Sequence, residues 1–192
     1  VVVRDDTLLQ MLKAMTERED VGLVGTKLLF PEGTIQHIGV VFDCFGIPRH
    51  LGYGKIDAAD YDPANRSDYY DAVTFASVLI RRKVWDECGG LDTDYHFNYE
   101  DVDFCLKARE KGWRCFLPHQ AVACHFESQA SKYRQSFDHS MVRNLKILRD
   151  KWIFTGKVEK VLKIPIQREY GPMHDERRNI AFVPAGMSAG IS

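Results

Sequence analysis

The segment from Glu100 to Lys111 constrains this chain more than any other. Val102, Cys105, Leu106 and Ala108 fall on one side at helical spacing. Glu100, Asp101 and Asp103 crowd the first turn, basic residues follow, and Gly112 comes directly after. Acidic groups suit the positive end of a helix dipole, basic groups the negative end, and glycine readily takes the left-handed conformation that stops a helix. The pattern predicts a helix with an apolar stripe, and such a stripe has to be buried against a second layer.

The β-rich runs elsewhere supply that layer. Val21 to Phe30 and Ile35 to Phe42 are β-branched and aromatic, and Pro31-Glu32-Gly33-Thr34 between them suits a tight turn, so they read as a hairpin. Ala72 to Ile80 reads as a strand, and Arg81 to Cys88 as a short helix closed by Gly89-Gly90. A turn at Asp92-Thr93-Asp94 follows. Trp113 to Leu117 and Ala121 to Phe126 are short strands around Pro118, and Ser140 to Trp152 has helical spacing. At the start, Val1 to Val3 reads as a strand feeding a helix that Asp6 and Thr7 can cap and that ends near Glu19. Asp43 to Tyr70, rich in Gly, Pro, Asp, Asn and Tyr, is expected to be a long surface loop. The order defines a mixed α/β architecture without internal repeats. Beyond Lys163 the periodicity fades, although Arg178 to Pro184 reads as a strand running into a glycine-bearing loop.

Composition excludes several classes of function. A chain of 192 residues can form one domain with its own core. Hydrophobic residues at 45% and charged residues at 28% fit a soluble globular protein. With 26 basic and 27 acidic residues the net charge is −1, which offers no field for nucleic acid or an anionic membrane. No run approaches the ~20 apolar residues of a membrane-spanning helix, and no signal-peptide progression opens the chain. The five cysteines are odd in number and lack a C-x-x-C pair, so they read as reduced thiols in or near the core, in a cytoplasmic setting.

Three carboxylates at one helix start either cap the helix or form part of a site. Gly89-Gly90-Leu91-Asp92 and the aromatic Tyr95, Phe97 and Tyr99 lead into them, and His125 ends the strand after next. An Asp held there could accept a proton from a hydroxyl while that hydroxyl attacks an electrophilic carbon, with Glu100 or Asp103 orienting it. His125 can equally pair with a nearby carboxylate.

Four stretches carry a family resemblance: V-G-L-V-G-T-K-L-L-F-P-E-G-T-I-Q-H-I-G at 21–39, A-V-T-F-A-S-V-L-I-R-R-K-V-W at 72–85, G-G-L-D-T-D-Y-H-F-N-Y-E-D-V-D-F-C-L-K-A at 89–108, and H-F-E-S at 125–128. In this order they resemble the second half of the family 2 glycosyltransferases, bacterial polysaccharide, rhamnosyl and related transferases of the GT-A fold. The resemblance implies a partial GT-A mixed sheet with flanking helices over residues 1–155, the N-terminal nucleotide-binding half being absent. Residues 156–192 are then a linker or tail, or the start of a second glycosyltransferase module. It implies an inverting transfer from a nucleotide-diphospho-sugar donor to a saccharide or lipid-linked hydroxyl acceptor, in the cytoplasm or at the membrane periphery. Asp101 maps to the base with Glu100 beside it, and Thr74, Gly89, Gly90 and Asp103 to acceptor contacts. Asp6 and His125 map to ligands of a divalent metal, Mn²⁺ or Mg²⁺.

Two positions depart from the family pattern. Arg4 stands where the metal motif has its first acid, and Phe75 replaces a residue that is often small, which would narrow the pocket. Without the nucleotide half the isolated chain is expected to show little or no transfer, and further glycosyltransferase modules are expected in the full-length protein. Two other functions compete with this one. The first is a noncatalytic carbohydrate-binding or scaffolding module derived from the acceptor lobe. The second is a metal-dependent hydrolase built on Glu100, Asp101, Asp103 and His125.

Overall fold

The computed structural model describes residues 1–43, 45–54, 61–126, 134–162, 173–175 and 180–182. Among them the architecture is mixed α/β. β2 (Val21–Gly25) and β9 (Arg114–Leu117) run parallel at the centre of a four-stranded sheet. β7 (Asp68–Tyr70) and β8 (Val78–Ile80) flank them, each antiparallel to its neighbour. A second sheet has the order β1 (Val2–Val3), β10 (Val122–Cys124), β3 (Lys27–Leu29), β4 (Ile35–His37), with β10 and β3 parallel.

The same two chain segments thus furnish the central pair of both sheets. They change sheet together, at Thr26 and at Pro118 to Ala121, where the Lys27 N–H donates to the Ala121 carbonyl at 2.8 Å. Every residue of β2 is buried, as a parallel strand covered on both faces requires. The expected hairpin is therefore half right. β3 and β4 pair antiparallel around the 31–34 turn, but residues 21–25 belong to the other sheet. The 43–70 segment is likewise more ordered than its composition suggests. Its described residues include β6 (Pro48–His50), which pairs with β5 (Val40–Phe42), a 3₁₀ turn at Asp62–Asn65, and β7. Only 78–80 of the strand expected over 72–80 is regular. Ala72 makes an isolated bridge to Val40.

The helices cover these sheets. α1 (Thr7–Thr16) lays Met11, Ala14 and Met15 on Val21, Val24 and Phe116, leaving Leu8, Leu9 and Leu12 outward. Asp6 precedes α1 without a side-chain cap bond, whereas the buried Thr7 hydroxyl donates to the Val122 carbonyl at 2.6 Å and ties the helix to β10. α2 (Arg82–Cys88) ends at Gly89 in the left-handed conformation, as expected. α3 (Glu100–Glu110) buries Val102, Phe104, Cys105, Leu106 and Ala108 in the main core. α4 (Arg134–Leu148) begins before the expected Ser140 and runs into a π-helical turn, Arg149–Ile153, that buries Trp152. α5 (Lys157–Leu162) follows, and β11 (Met173–Asp175) pairs antiparallel with β12 (Ile180–Phe182). The glycine-bearing loop expected after Phe182 lies outside the described residues. Cys44 does too; the other four cysteines are free thiols, two of them buried.

One buried acid joins several of these elements. Asp103 has no solvent exposure, and its carboxylate accepts from Trp152 Nε1 at 2.7 Å, Lys151 Nζ at 2.8 Å and the Tyr95 hydroxyl at 3.4 Å, with Lys107 Nζ at 3.1 Å. Asp92, within reach of Lys151 at 2.9 Å, completes the cluster. Removing one partner of a buried charge cluster typically costs about 3–5 kcal/mol. Asp103→Ala is expected to lose a comparable amount in urea unfolding, and a loss under ~1 kcal/mol would show that the cluster does not hold the helices together.

Candidate functional site

The chain reaches α3 through a costly turn. Phe97, Asn98 and Tyr99 have φ of 51°, 64° and 69°, a left-handed run that lacks glycine. Such residues cost of order 1–3 kcal/mol each and persist only where their surroundings hold them. Asn144, buried on α4, does so. Its amide donates to the carbonyls of His96 at 2.6 Å, Phe97, and Asn98 at 3.1 Å, and its Oδ1 accepts from the His96 N–H at 3.4 Å. The Tyr99 carbonyl then accepts from Asp103 N–H at 2.9 Å, opening α3. Sequence reasoning missed Asn144. The available signal was an asparagine inside a helical pattern, a residue that tends to bond backbone groups outside the helix.

This turn places Asp101 at a pocket of about 240 Å³ lined by Val40, Pro48, His50, Thr74, Asn98, Tyr99, Asp101, Val102 and Met141. The β5–β6 hairpin forms one wall, the start of α3 another, and α4 contributes Met141. Asp101 Oδ2 accepts from the Phe75 N–H at 3.2 Å and Oδ1 from its neighbour Val102 N–H at 2.8 Å, so two backbone donors fix the carboxylate beside Thr74. The Phe75 ring is absent from the pocket lining. It packs edge-on against Phe104, with ring centroids 5.5 Å apart.

Two polar atoms flanking Asp101 are buried without a partner among the described residues, Asn98 Nδ2 and Glu100 Oε2. Such orphans are uncommon in folded proteins and need a reason. Burial pushes the Glu100 carboxyl above its usual 4.5; its own backbone N–H opposes the shift and the Asp101 charge adds to it. Tyr99 is pushed up by burial, an effect that nearby Arg49 moderates.

The other expected site residues lie elsewhere. Asp103 sits beneath the pocket in the buried cluster and lines no part of it, because its oxygens are consumed by Tyr95, Lys107, Lys151 and Trp152. Gly89 and Gly90 end α2, both left-handed, and are not among the pocket residues. Asp6 and His125 fall at opposite ends of the β1–β10 pair. Val2 faces Cys124, which sets His125 beside Val1, whereas Arg4 bonds Val122 and Asp6 lies further on. Three extended residues, about 10 Å, separate Val1 from Arg4 alone. His125 Nδ1 meets Gln36 Oε1 at 2.7 Å. Among the described residues no three His, Cys, Asp or Glu side chains are grouped so as to hold a metal ion, and Asp6 and His125 are not brought together.

No protein-family profile matches the chain. The chain is similar to an uncharacterized protein of Sinorhizobium fredii, y4gI, at 36% identity over 130 residues, covering 66% of this chain and 14% of that protein. It is also similar to the O-antigen biosynthesis protein RfbC of Myxococcus xanthus, at 33% identity over 133 residues, 68% of this chain and 10% of RfbC. An uncharacterized protein of Mycobacterium tuberculosis, Rv1525, is 28% identical over 119 residues, 57% of this chain and 45% of that protein. The chain thus spans a small part of the first two relatives and under half of the third.

Two outcomes follow from this geometry. Asn144→Ala removes the group that holds the left-handed run and is expected to cost about 2–3 kcal/mol, with faster amide exchange confined to residues 96–100. Uniform exchange across α3 and α4 would instead show a general loss of packing. The folded Glu100 carboxyl holds its proton more tightly than the unfolded one, so ionising it costs stability as pH rises through and above 4.5. Glu100→Gln is expected to raise the thermal midpoint at neutral pH, with the gain vanishing well below pH 4.5, as calorimetry over a pH series can check.

Proposed function

We propose that this chain is the acceptor-side, base-bearing part of an inverting glycosyltransferase of GT-A type that acts in the biosynthesis of a polysaccharide such as O-antigen. The observation that carries the reading is Asp101, partly buried at a pocket of mixed polar and apolar lining and fixed by two backbone N–H groups at the start of α3. The similarity to RfbC, an O-antigen biosynthesis protein, supports a role in polysaccharide biosynthesis. Asn98, whose side-chain amide is orphaned, lines the same pocket, and a hydroxyl-rich ligand there would satisfy it.

In this reading Asp101 takes the proton of an acceptor hydroxyl as its oxygen bonds to the anomeric carbon of the donor. The bond from that carbon to the nucleotide diphosphate breaks on the opposite face, and the diphosphate leaves with the bonding electrons. Thr74 contacts the acceptor from the pocket wall. Residues 1–155 form the transferase part, with 156–192 a linker or the start of a further module. The outward Val1 to Val3, Leu8, Leu9 and Leu12 are assigned to packing against a donor-binding half of the same longer polypeptide. The reading includes a divalent metal on the donor diphosphate; Asp6 and His125 stand apart, at opposite ends of the β1–β10 pair.

That separation also favours a second reading, a carbohydrate-binding module without chemistry. Asp101→Asn in the full-length protein distinguishes the two. Loss of a general base typically costs 10²–10⁴-fold in rate, roughly. Transfer should fall by that order while nucleotide-sugar affinity is retained. A wild-type protein that binds saccharide but neither binds nor turns over any nucleotide sugar would decide for the binding module.

A further inference from the structure

β4 and β6 each end on a histidine, and the two rings meet. Their centroids are 4.9 Å apart at 72°, with His37 Nδ1 and His50 Nδ1 separated by 3.0 Å. The close approach depends on Gly39, whose φ of 130° and contact with the Tyr70 ring leave no room for a Cβ, and whose carbonyl accepts from Leu51 N–H at 2.9 Å. Two ring nitrogens at this distance share one proton, one donating and the other accepting.

His37 has no solvent exposure, and its other nitrogen, Nε2, accepts the N–H of Thr74 at 3.5 Å. A neutral imidazole that accepts at Nε2 carries its proton on Nδ1. His37 therefore donates to His50 Nδ1, and the proton of His50 resides on Nε2. A further proton on the pair would set two donors against each other, either between the Nδ1 atoms or between His37 Nε2 and the Thr74 N–H. Burial, and then the electrostatic effect of His50, hold His37 well below the usual 6.5, which keeps the His37 ring neutral at neutral pH. Charged groups around the pair are Asp101 across the Thr74–Phe75 peptide, Arg49 bound to Asp43 at 3.0 Å, and Lys27 on β3, whose Nζ donates to the Ala64 carbonyl at 2.8 Å.

The next residue along is Phe75, whose N–H donates to Asp101. The Thr74–Phe75 segment is thus pinned between His37 on one side and Asp101 on the other, while Thr74, His50 and Asp101 line the same pocket. We propose that His37 is a positioning residue for Asp101: it fixes the Thr74–Phe75 peptide that aims the carboxylate, and the proton it shares with His50, held on Nδ1, leaves Nε2 as the acceptor that does so. The consequence for catalysis rests on the reading of Asp101 as the base, but the hydrogen-bond relay itself does not.

The relay can be tested without any substrate, by NMR on the 192-residue chain. Long-range ¹H–¹⁵N imidazole spectra at neutral pH should show opposite neutral tautomers, Nδ1–H for His37 and Nε2–H for His50. His37→Leu should speed amide exchange at Thr74 and Phe75 about tenfold relative to the core of α3. His37→Gln, whose amide can still accept near the Nε2 position, should restore much of the protection. Identical tautomers in the two rings, or unchanged exchange at Thr74 and Phe75 in a folded His37→Leu, would overturn the proposal. Should His37→Leu not fold, the wild-type tautomers and the His37→Gln exchange still decide it. In the full-length protein, a His37→Leu variant with lowered kcat, unchanged donor KM and recovery of kcat in His37→Gln supports positioning, and an equal loss of both that Gln does not relieve argues against it. A wild-type protein without transfer activity counts against the transferase reading alone, since the tautomers and exchange decide the relay separately.

Discussion

A single carboxylate without solvent access ties the layers of this protein together. Burying a charge costs several kcal/mol unless partners replace its hydration. Asp103 finds them on three elements: Tyr95 on the turn before α3, Lys107 one turn along α3 itself, and Lys151 with Trp152 on the π-helical turn that follows α4. Burial weakens the Lys151 ammonium, but the hydrogen bonds it donates to Asp103 and Asp92 outweigh that effect, so the cation stays charged in place. The Asp92 carboxylate is stabilised mainly by the Asp94 N–H and then by Lys151.

The site inherits its geometry from this anchor. Residues 101 and 103 are two apart on a helix, hence about 200° apart around its axis. With Asp103 drawn into the core, Asp101 has to face the opposite side, where the pocket lies. Asn144 adds the second constraint by gathering three carbonyls of the left-handed turn, and the Thr74–Phe75 peptide adds the third from across the pocket. Two of the three constraints come from distant parts of the chain. The carboxylate is therefore pre-positioned by tertiary contacts rather than by the helix start alone.

Local signals in the sequence were enough for α2, α3, β9 and β10: glycine follows both helices, α3 adds dipole-matched charges to its apolar spacing, and the two strands are short apolar runs on either side of Pro118. They also singled out the acidic cluster, one member of which, Asp101, lines the pocket. They failed at residues 21–29, where one β-rich run is divided between two sheets. Nothing in its composition distinguishes a continuous strand from one that changes partners at Thr26. They failed again over 43–70, where short strands owe their order to β5 and β9 rather than to their own propensity.

The sequence by itself determined the α/β class, the helix that carries Glu100, Asp101 and Asp103, and the concentration of negative charge at its start. All of these follow from spacing and charge along a few consecutive residues. Only the tertiary structure decided what each acid does, since burial is a property of the packed layers. It turned Asp103 inward to four partners, set Asp101 at the pocket, and left Asp6 and His125 at opposite ends of a strand pair. It also enlisted His37 and Asn144, because the contacts that give those two residues their meaning join segments 37 and 46–48 positions apart in the chain.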